Sequence, residues 1–153
     1  MNTIDISWEE LEASCLDIAN FFENKNISNI VGIARGGVIP ASIIARILNI
    51  ELSIVSAKSY SDKTRGELSI QSDITIVDPS KEYLFIDDIC DSGHTLNAFK
   101  ELYSNTFNKN IYTASLIYKT NNIFTPDFYY KILPAEYWIV FPWERLNNIN
   151  DNI

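Results

Sequence analysis

Apolar and polar positions along the chain switch between helical and strand periods, and the switch points mark the elements. Near the start, Trp8, Leu11, Cys15, Ile18 and Phe22 fall on one helical face. Ser7 followed by Glu10 makes a capping box ahead of them, so a helix is predicted there. Ile30-Val31-Gly32-Ile33-Ala34 is an apolar run of strand length, interrupted by the tight turn Arg35-Gly36-Gly37. Pro40 suits the first turn of a second helix, with Ile43, Ile44, Ile47 and Leu48 as its buried stripe. The same order of strand, turn and helix returns downstream. Tyr83-Leu84-Phe85-Ile86 is apolar and ends abruptly in Asp87-Asp88; Ser92-Gly93 then turns into a helix presenting Leu96, Phe99, Leu102 and Tyr103. Leu52–Ala57, Ile74–Val77, Ile111–Tyr118 and Phe128–Ile132 read as further strands.

Strands this uniformly apolar are covered on both faces, which is the situation of a parallel sheet. Their alternation with helices makes the class α/β: a mainly parallel sheet flanked by helices, with ligands beyond the carboxyl ends of the strands. Both turns described above sit at such ends. Ser59 to Glu67 is the most polar segment in the middle of the chain. It reads either as a loop or hairpin arm able to close over a site, or as a solvated connection. A length of 153 residues fits one domain around one core, with no repeat, linker or low-complexity tract.

Composition adds exclusions. A hydrophobic share of 46% and a charged share of 21% are those of an ordinary globular protein. The apolar runs are too short for membrane spans, and the N-terminus lacks a signal-peptide pattern, so a cytoplasmic protein with no integral membrane contact is expected. Cys15 and Cys90 match no metal-binding spacing and read as a small buried residue and an incidental loop thiol, without a disulfide. A net charge of −8 argues against a nucleic-acid partner. An acidic chain that binds a polyphosphate must rely on backbone amides, helix N-termini, a few cations or a metal ion.

The strongest chemical signal is Phe85-Ile86-Asp87-Asp88-Ile89-Cys90-Asp91-Ser92-Gly93-His94-Thr95-Leu96. Adjacent carboxylates at the end of a buried strand accept hydrogen bonds from a ribose diol, directly or through a metal ion. The turn from Asp91 to Thr95 offers backbone N–H groups and two hydroxyls to a phosphate at a helix N-terminus. Asp87, Asp88 and Asp91 could also simply cap the helix and solvate the strand end. The Asp-Asp-x-x-Asp pattern of prenyl-diphosphate enzymes is rejected, because it belongs inside a helix and here it follows a strand, with Gly93 two residues on.

This segment resembles the phosphoribosyl pyrophosphate motif of the type I phosphoribosyltransferases at every defining position. Gly32 to Pro40 resembles that family's pyrophosphate loop, and Ser59-Tyr60 the start of its mobile catalytic loop. Within the family, the bacterial xanthine-guanine enzymes are most similar. The opening Ile6-Ser7-Trp8-Glu9-Glu10-Leu11, Lys119 after a strand, and the close Tyr137-Trp138-Ile139-Val140-Phe141-Pro142-Trp143-Glu144 carry that likeness. The resemblance implies a single domain over 1–153 with a small C-terminal hood, mainly from 119–146, carrying the base site. It further implies magnesium-dependent transfer of a phosphoribosyl group from phosphoribosyl pyrophosphate to a 6-oxopurine base.

By resemblance, Asp87 and Asp88 hold the ribose hydroxyls and Mg2+, and Asp91 is the general base or proton partner at the purine's five-membered ring. Ser92, Gly93, His94 and Thr95 cradle the 5′-phosphate; Ala34, Arg35, Gly36 and Gly37 form the pyrophosphate loop, where the family often has a cis peptide, here Ala34–Arg35. Lys119 donates to the 6-oxo oxygen, Trp138 stacks on the base and Ile139 offers main-chain hydrogen bonds. His94, the one histidine in the sequence, is expected to act through its backbone. In the mobile loop the pattern departs: Gly66 precedes Glu67-Leu68 where the xanthine-guanine group has Arg, leaving Lys58, Lys63 and Arg65 as candidate pyrophosphate cations. The family's habit implies a homodimer or homotetramer. Two alternatives share the fold: transfer to another ring acceptor, and a non-catalytic sensor of phosphoribosyl pyrophosphate.

Overall fold

The computed structural model describes residues 1–59, 68–71, 80, 82–107 and 111–145, with the backbone alone for 57–59, 68–71 and 106–107. The expected strand Ile74–Val77, together with Lys63 and Arg65 of the polar arm, lies outside the described residues. In chain order the elements are β1 (Thr3–Asp5), α1 (Trp8–Phe22), β2 (Ile27–Ala34), α2 (Val38–Leu48), β3 (Glu51–Ser59) and β4 (Leu68–Gln71). There follow β5 (Glu82–Cys90), α3 (His94–Phe107), β6 (Ile111–Lys119), β7 (Phe128–Leu133), β8 (Trp138–Val140) and a 3-10 turn, Pro142–Arg145.

Among the described residues, six strands form one sheet in the order β4-β3-β2-β5-β6-β7, parallel except for β4, which pairs antiparallel with β3 from Ser59↔Leu68. β3 and β4 are thus antiparallel neighbours, while residues 60–67 of the polar segment between them lie outside the described residues. Side chains of a strand alternate between faces, and β5 shows the consequence. Leu84 and Ile86 join the core beneath α1 and α2, whereas Tyr83 and Phe85 join the one beneath α3. Phe85 sits against Phe99 and Tyr103 with ring centroids 5.6 and 5.0 Å away, a packing whose truncation to alanine costs about 3–5 kcal/mol.

Several local expectations need correction. In α1, Ser7 Oγ accepts from Glu10 N–H at 3.0 Å, but the Glu10 carboxylate receives Lys131 Nζ at 3.0 Å instead of completing the capping box. Trp8 starts α1 largely exposed. The buried face of α2 is Pro40, Ala41, Ile44 and Ala45, with Ile47 turned to solvent, because small residues let the helix lie close to β2. Leu102 likewise faces outward from α3. The strand carrying Asp87 and Asp88 continues to Cys90 and does not end before them.

The C-terminal segment is covered from an unexpected direction. β1 pairs with β8 in parallel, Thr3↔Trp138 through Asp5↔Val140, so the first residues of the chain complete the small sheet that carries Trp138. Among the described residues no helix is long and apolar enough to cross a membrane.

Candidate active site

Four chain segments meet at the carboxyl ends of the parallel strands: the turn after β2, the end of β5 with the turn into α3, the end of β6, and the segment from β8 through the 3-10 turn. Their chemistry follows from strand alternation. Asp87 lines a concavity with Asp91, Ser92, Gly93 and Thr95, on the α3 side. Asp88, one residue on, lines a different cavity with Arg35, Gly36, Trp143 and Glu144. The adjacent carboxylates thus line two cavities while staying close enough to interact with each other.

Both carboxylates accept short backbone hydrogen bonds, Asp88 N–H to Asp87 Oδ1 at 3.0 Å and Ile89 N–H to Asp88 Oδ1 at 2.8 Å. Burial raises the Asp87 carboxyl well above the usual carboxylate range, and the neighbouring Asp88 charge adds to it. Asp88 is raised as well, again chiefly by burial. A cation from a ligand would relieve this. Among the described residues no group of three or more His, Cys, Asp or Glu gathers to hold a metal. Magnesium needs only one or two carboxylates when water and substrate oxygens fill its other positions. Asp87 and Asp88 therefore fit a magnesium ion that arrives with an anionic ligand.

The turn after β2 packs against this strand. A Cβ on Gly36 would overlap the Asp88 carboxylate, so the missing side chain makes room for that carboxylate as well as for a ligand. Gly37 caps α2 without a side-chain hydrogen bond, Arg35 is exposed beside the cavity, and the Ala34–Arg35 peptide is cis. On the other side, Gly93 adopts φ 84°, a conformation that favours glycine, as the turn enters α3. Ser92 Oγ lies 2.9 Å from His94 Nδ1, and His94 is exposed. The amides of Thr95 and Leu96, in the first turn of α3, have no intrahelical acceptor.

Lys119 ends β6 and is buried, with its Nζ 3.6 Å from Asp91 Oδ1, whose side chain is 70% exposed. Trp138 presents an exposed ring from β8. Trp138 N–H donates to Asn2 O at 2.8 Å and Ile6 N–H to Val140 O at 2.9 Å. Those main-chain groups face β1, and by strand alternation the N–H and C=O of Ile139 turn the other way. Lys58 lies in β3 opposite Ser69, where only the backbone is described.

The sequence profile of the Phosphoribosyl transferase domain matches residues 7–145. The chain belongs to this family. It is 30% identical over 140 residues to the xanthine-guanine phosphoribosyltransferase of Chromohalobacter salexigens, covering 91% of this chain and 82% of that protein. The enzyme of the same name from Idiomarina loihiensis is 29% identical over 142 residues, covering 91% and 85%. Among solved structures, a purine phosphoribosyltransferase from Pyrococcus horikoshii superposes with a TM-score of 0.86 at 30% identity, over 97% of this chain and 99% of that one. The Helicobacter pylori xanthine-guanine-hypoxanthine phosphoribosyltransferase gives 0.84 at 27% identity, over 94% and 95%.

As a phosphoribosyl transferase domain the chain has a mainly parallel sheet with flanking helices, like these structural relatives. Two residues in this region carry no site role in the sequence reading. Glu144 lines the Asp88 cavity, with its Oε2 accepting from Phe141 N–H at 2.8 Å. Asn122, in the connection after β6, makes hydrogen bonds to the turn that follows Asp88. The sequence carried one weak signal for it: the polar pair Asn121-Asn122 directly after Lys119-Thr120.

Proposed function

We propose that this protein transfers the phosphoribosyl group of phosphoribosyl pyrophosphate to a 6-oxopurine (xanthine, guanine or hypoxanthine), releasing pyrophosphate and a purine nucleoside monophosphate for purine salvage. The observation that carries this reading is the approach of Lys119 Nζ to Asp91 Oδ1 across the strand ends. A cation suited to a 6-oxo oxygen and a carboxylate suited to a ring proton stand beside the turn from Asp91 to Thr95, and Trp138 offers an exposed ring. The names of the relatives, which are xanthine-guanine and purine enzymes, support the same substrate class.

A purine ring nitrogen attacks the anomeric carbon as the bond from that carbon to pyrophosphate oxygen breaks, and the electron pair leaves with pyrophosphate. Asp91 takes the proton that the purine loses. Arg35 and the amides of its turn meet the charge gathering on pyrophosphate, and Asp87 and Asp88 hold the ribose hydroxyls. The turn from Ser92 to Thr95, His94 included, cradles the 5′-phosphate through backbone amides and hydroxyls. Asp87 and Asp88 would hold magnesium, which would supply neutralisation of the phosphate charge. Lys119 rejects adenine because the 6-amino group is itself a donor, Trp138 stacks on the base, and the outward main chain of Ile139 bonds its edge. The reading includes Lys58 and Arg65 as cations for pyrophosphate and a homodimer or homotetramer as the assembly. It also includes a cytoplasmic setting, in keeping with the free thiols of Cys15 and Cys90.

Two variants test the assignment. Asp91→Asn loses about 10²–10⁴-fold in turnover with guanine if Asp91 accepts the proton. Lys119→Met reduces the preference for guanine over adenine by at least about tenfold in kcat/KM. Unchanged guanine turnover in the first, or unchanged preference in the second, contradicts the role concerned.

A further inference from the structure

The connection between β6 and β7 lies across the phosphate-binding turn, and one side chain does most of the joining. Asn122 Nδ2 donates to the carbonyl oxygens of Cys90 at 2.9 Å and Asp91 at 2.8 Å, with Cys90 Sγ at 3.3 Å as a weaker third neighbour. Its Oδ1 accepts from Phe124 N–H at 2.8 Å, which sets the orientation of the amide. A Cβ on Gly93 would strike Asn122 Oδ1, so the glycine and the asparagine occupy a single fitted space. Ile123 N–H donates to Ser92 O at 3.2 Å, and Cys90 Sγ approaches Phe124 O at 3.7 Å. Every residue from Cys90 to Gly93 is thereby contacted by the segment Asn122–Phe124.

That segment begins three residues after Lys119. Fixing two successive carbonyls on one side of a turn fixes the peptide planes, and so aims the following amides to the other side. It also fixes the backbone from which the Asp91 side chain springs, opposite Lys119. We infer that Asn122 is a positioning residue, whose amide holds the Cys90–Gly93 turn in the shape that receives the 5′-phosphate and keeps that turn in register with Lys119. It touches no reacting atom in this account. The inference rests on the reading of this turn as a 5′-phosphate cradle.

Its test compares wild type with Asn122→Ala, Asn122→Asp and Asn122→Ser. For each we would measure kcat, the two KM values with magnesium, phosphoribosyl pyrophosphate and guanine, calorimetric binding of guanosine 5′-monophosphate, and the melting temperature. Asn122→Asp keeps the oxygen that faces Phe124 but turns a second oxygen on the two carbonyls. It and Asn122→Ala should each raise the KM for phosphoribosyl pyrophosphate by about tenfold and weaken nucleotide binding to match. The KM for guanine should move by less than about threefold, since Lys119 and Trp138 are retained. Asn122→Ser, whose hydroxyl stops one bond short of the asparagine nitrogen, should lose about as much as Asn122→Ala. If alanine prevents folding, the serine and aspartate variants carry the comparison.

Unchanged nucleotide binding and KM for phosphoribosyl pyrophosphate in a folded variant would overturn the inference. So would equal losses for both substrates that simply track a lowered melting temperature. If wild type makes no nucleotide yet binds guanosine 5′-monophosphate more tightly than Asn122→Ala, the positioning role stands and the proposed activity fails. If wild type binds no nucleotide at all, both fall.

Discussion

Burial raises both Asp87 and Asp88, and the neighbouring Asp88 charge raises Asp87 further; this fixes a cost that can be measured in the free protein. A carboxyl whose pKa is higher folded than unfolded favours folding in its protonated form. Its contribution is fully present below the unfolded value, about 4, and is lost as pH rises through the folded value. At neutral pH the ionised pair opposes folding. Asp87→Asn should therefore melt higher than wild type at pH 7, with the gain shrinking towards zero as the pH falls below about 4, while transfer is lost. A lower melting temperature at pH 7, or a gain independent of pH, would contradict this view of the pair. The carboxylates themselves were legible in the sequence, because an Asp-Asp pair after an apolar strand is a pattern of residue types. Asn122 was not. Its partners are main-chain carbonyls 31 and 32 residues away, and a bond to a carbonyl leaves no mark on the identity of the residue that supplies it.

At the scale of elements, β1 is the piece whose purpose depends on its neighbour. Thr3–Asp5 is too short to be seen as a strand by alternation, and only its pairing with Trp138–Val140 makes it one. In the α2 stripe Ile44 is buried and Ile43 and Leu48 pack partly against the core, but Ile47 turns outward for a related reason. Periodicity ranks residues by size, whereas close approach to β2 selects Ala41 and Ala45 over Ile47; Gly32 belongs to the same contact, since a Cβ there would press on the Cβ of Ala41. Removing residues 1–5 should free one edge of β8 and loosen the mount of Trp138. The expected result is a rise of about tenfold in KM for the purine, with KM for phosphoribosyl pyrophosphate nearly unchanged. Equal change in both constants, or none, would show that β1 does not support the base side of the site. The strand–turn–helix units around Gly36 and Gly93, by contrast, were readable, since glycine turns between periodic apolar segments are local features.

At the scale of the molecule, the sheet separates two cores and gathers at its carboxyl ends what sequence keeps far apart: Arg35 and Asp88 with Glu144, and Asp91 with Lys119. Under the proposed function, an acidic chain of net charge −8 would meet its anionic substrate there with helix-start amides, few cations and carboxylates suited to a metal. The fold class followed from alternating apolar strands and helices, but which elements stand side by side depends on pairings across the whole chain. The central claim is phosphoribosyl transfer to 6-oxopurines. It is tested most directly by incubating the protein with magnesium and phosphoribosyl pyrophosphate, separately with guanine, xanthine, hypoxanthine and adenine, and following nucleotide and pyrophosphate together. Nucleoside monophosphate and pyrophosphate are expected in equal amounts with at least one 6-oxopurine, and adenine slower by about a hundredfold or more. Adenine used as well as the best 6-oxopurine, or no nucleotide from any of the four, would contradict it.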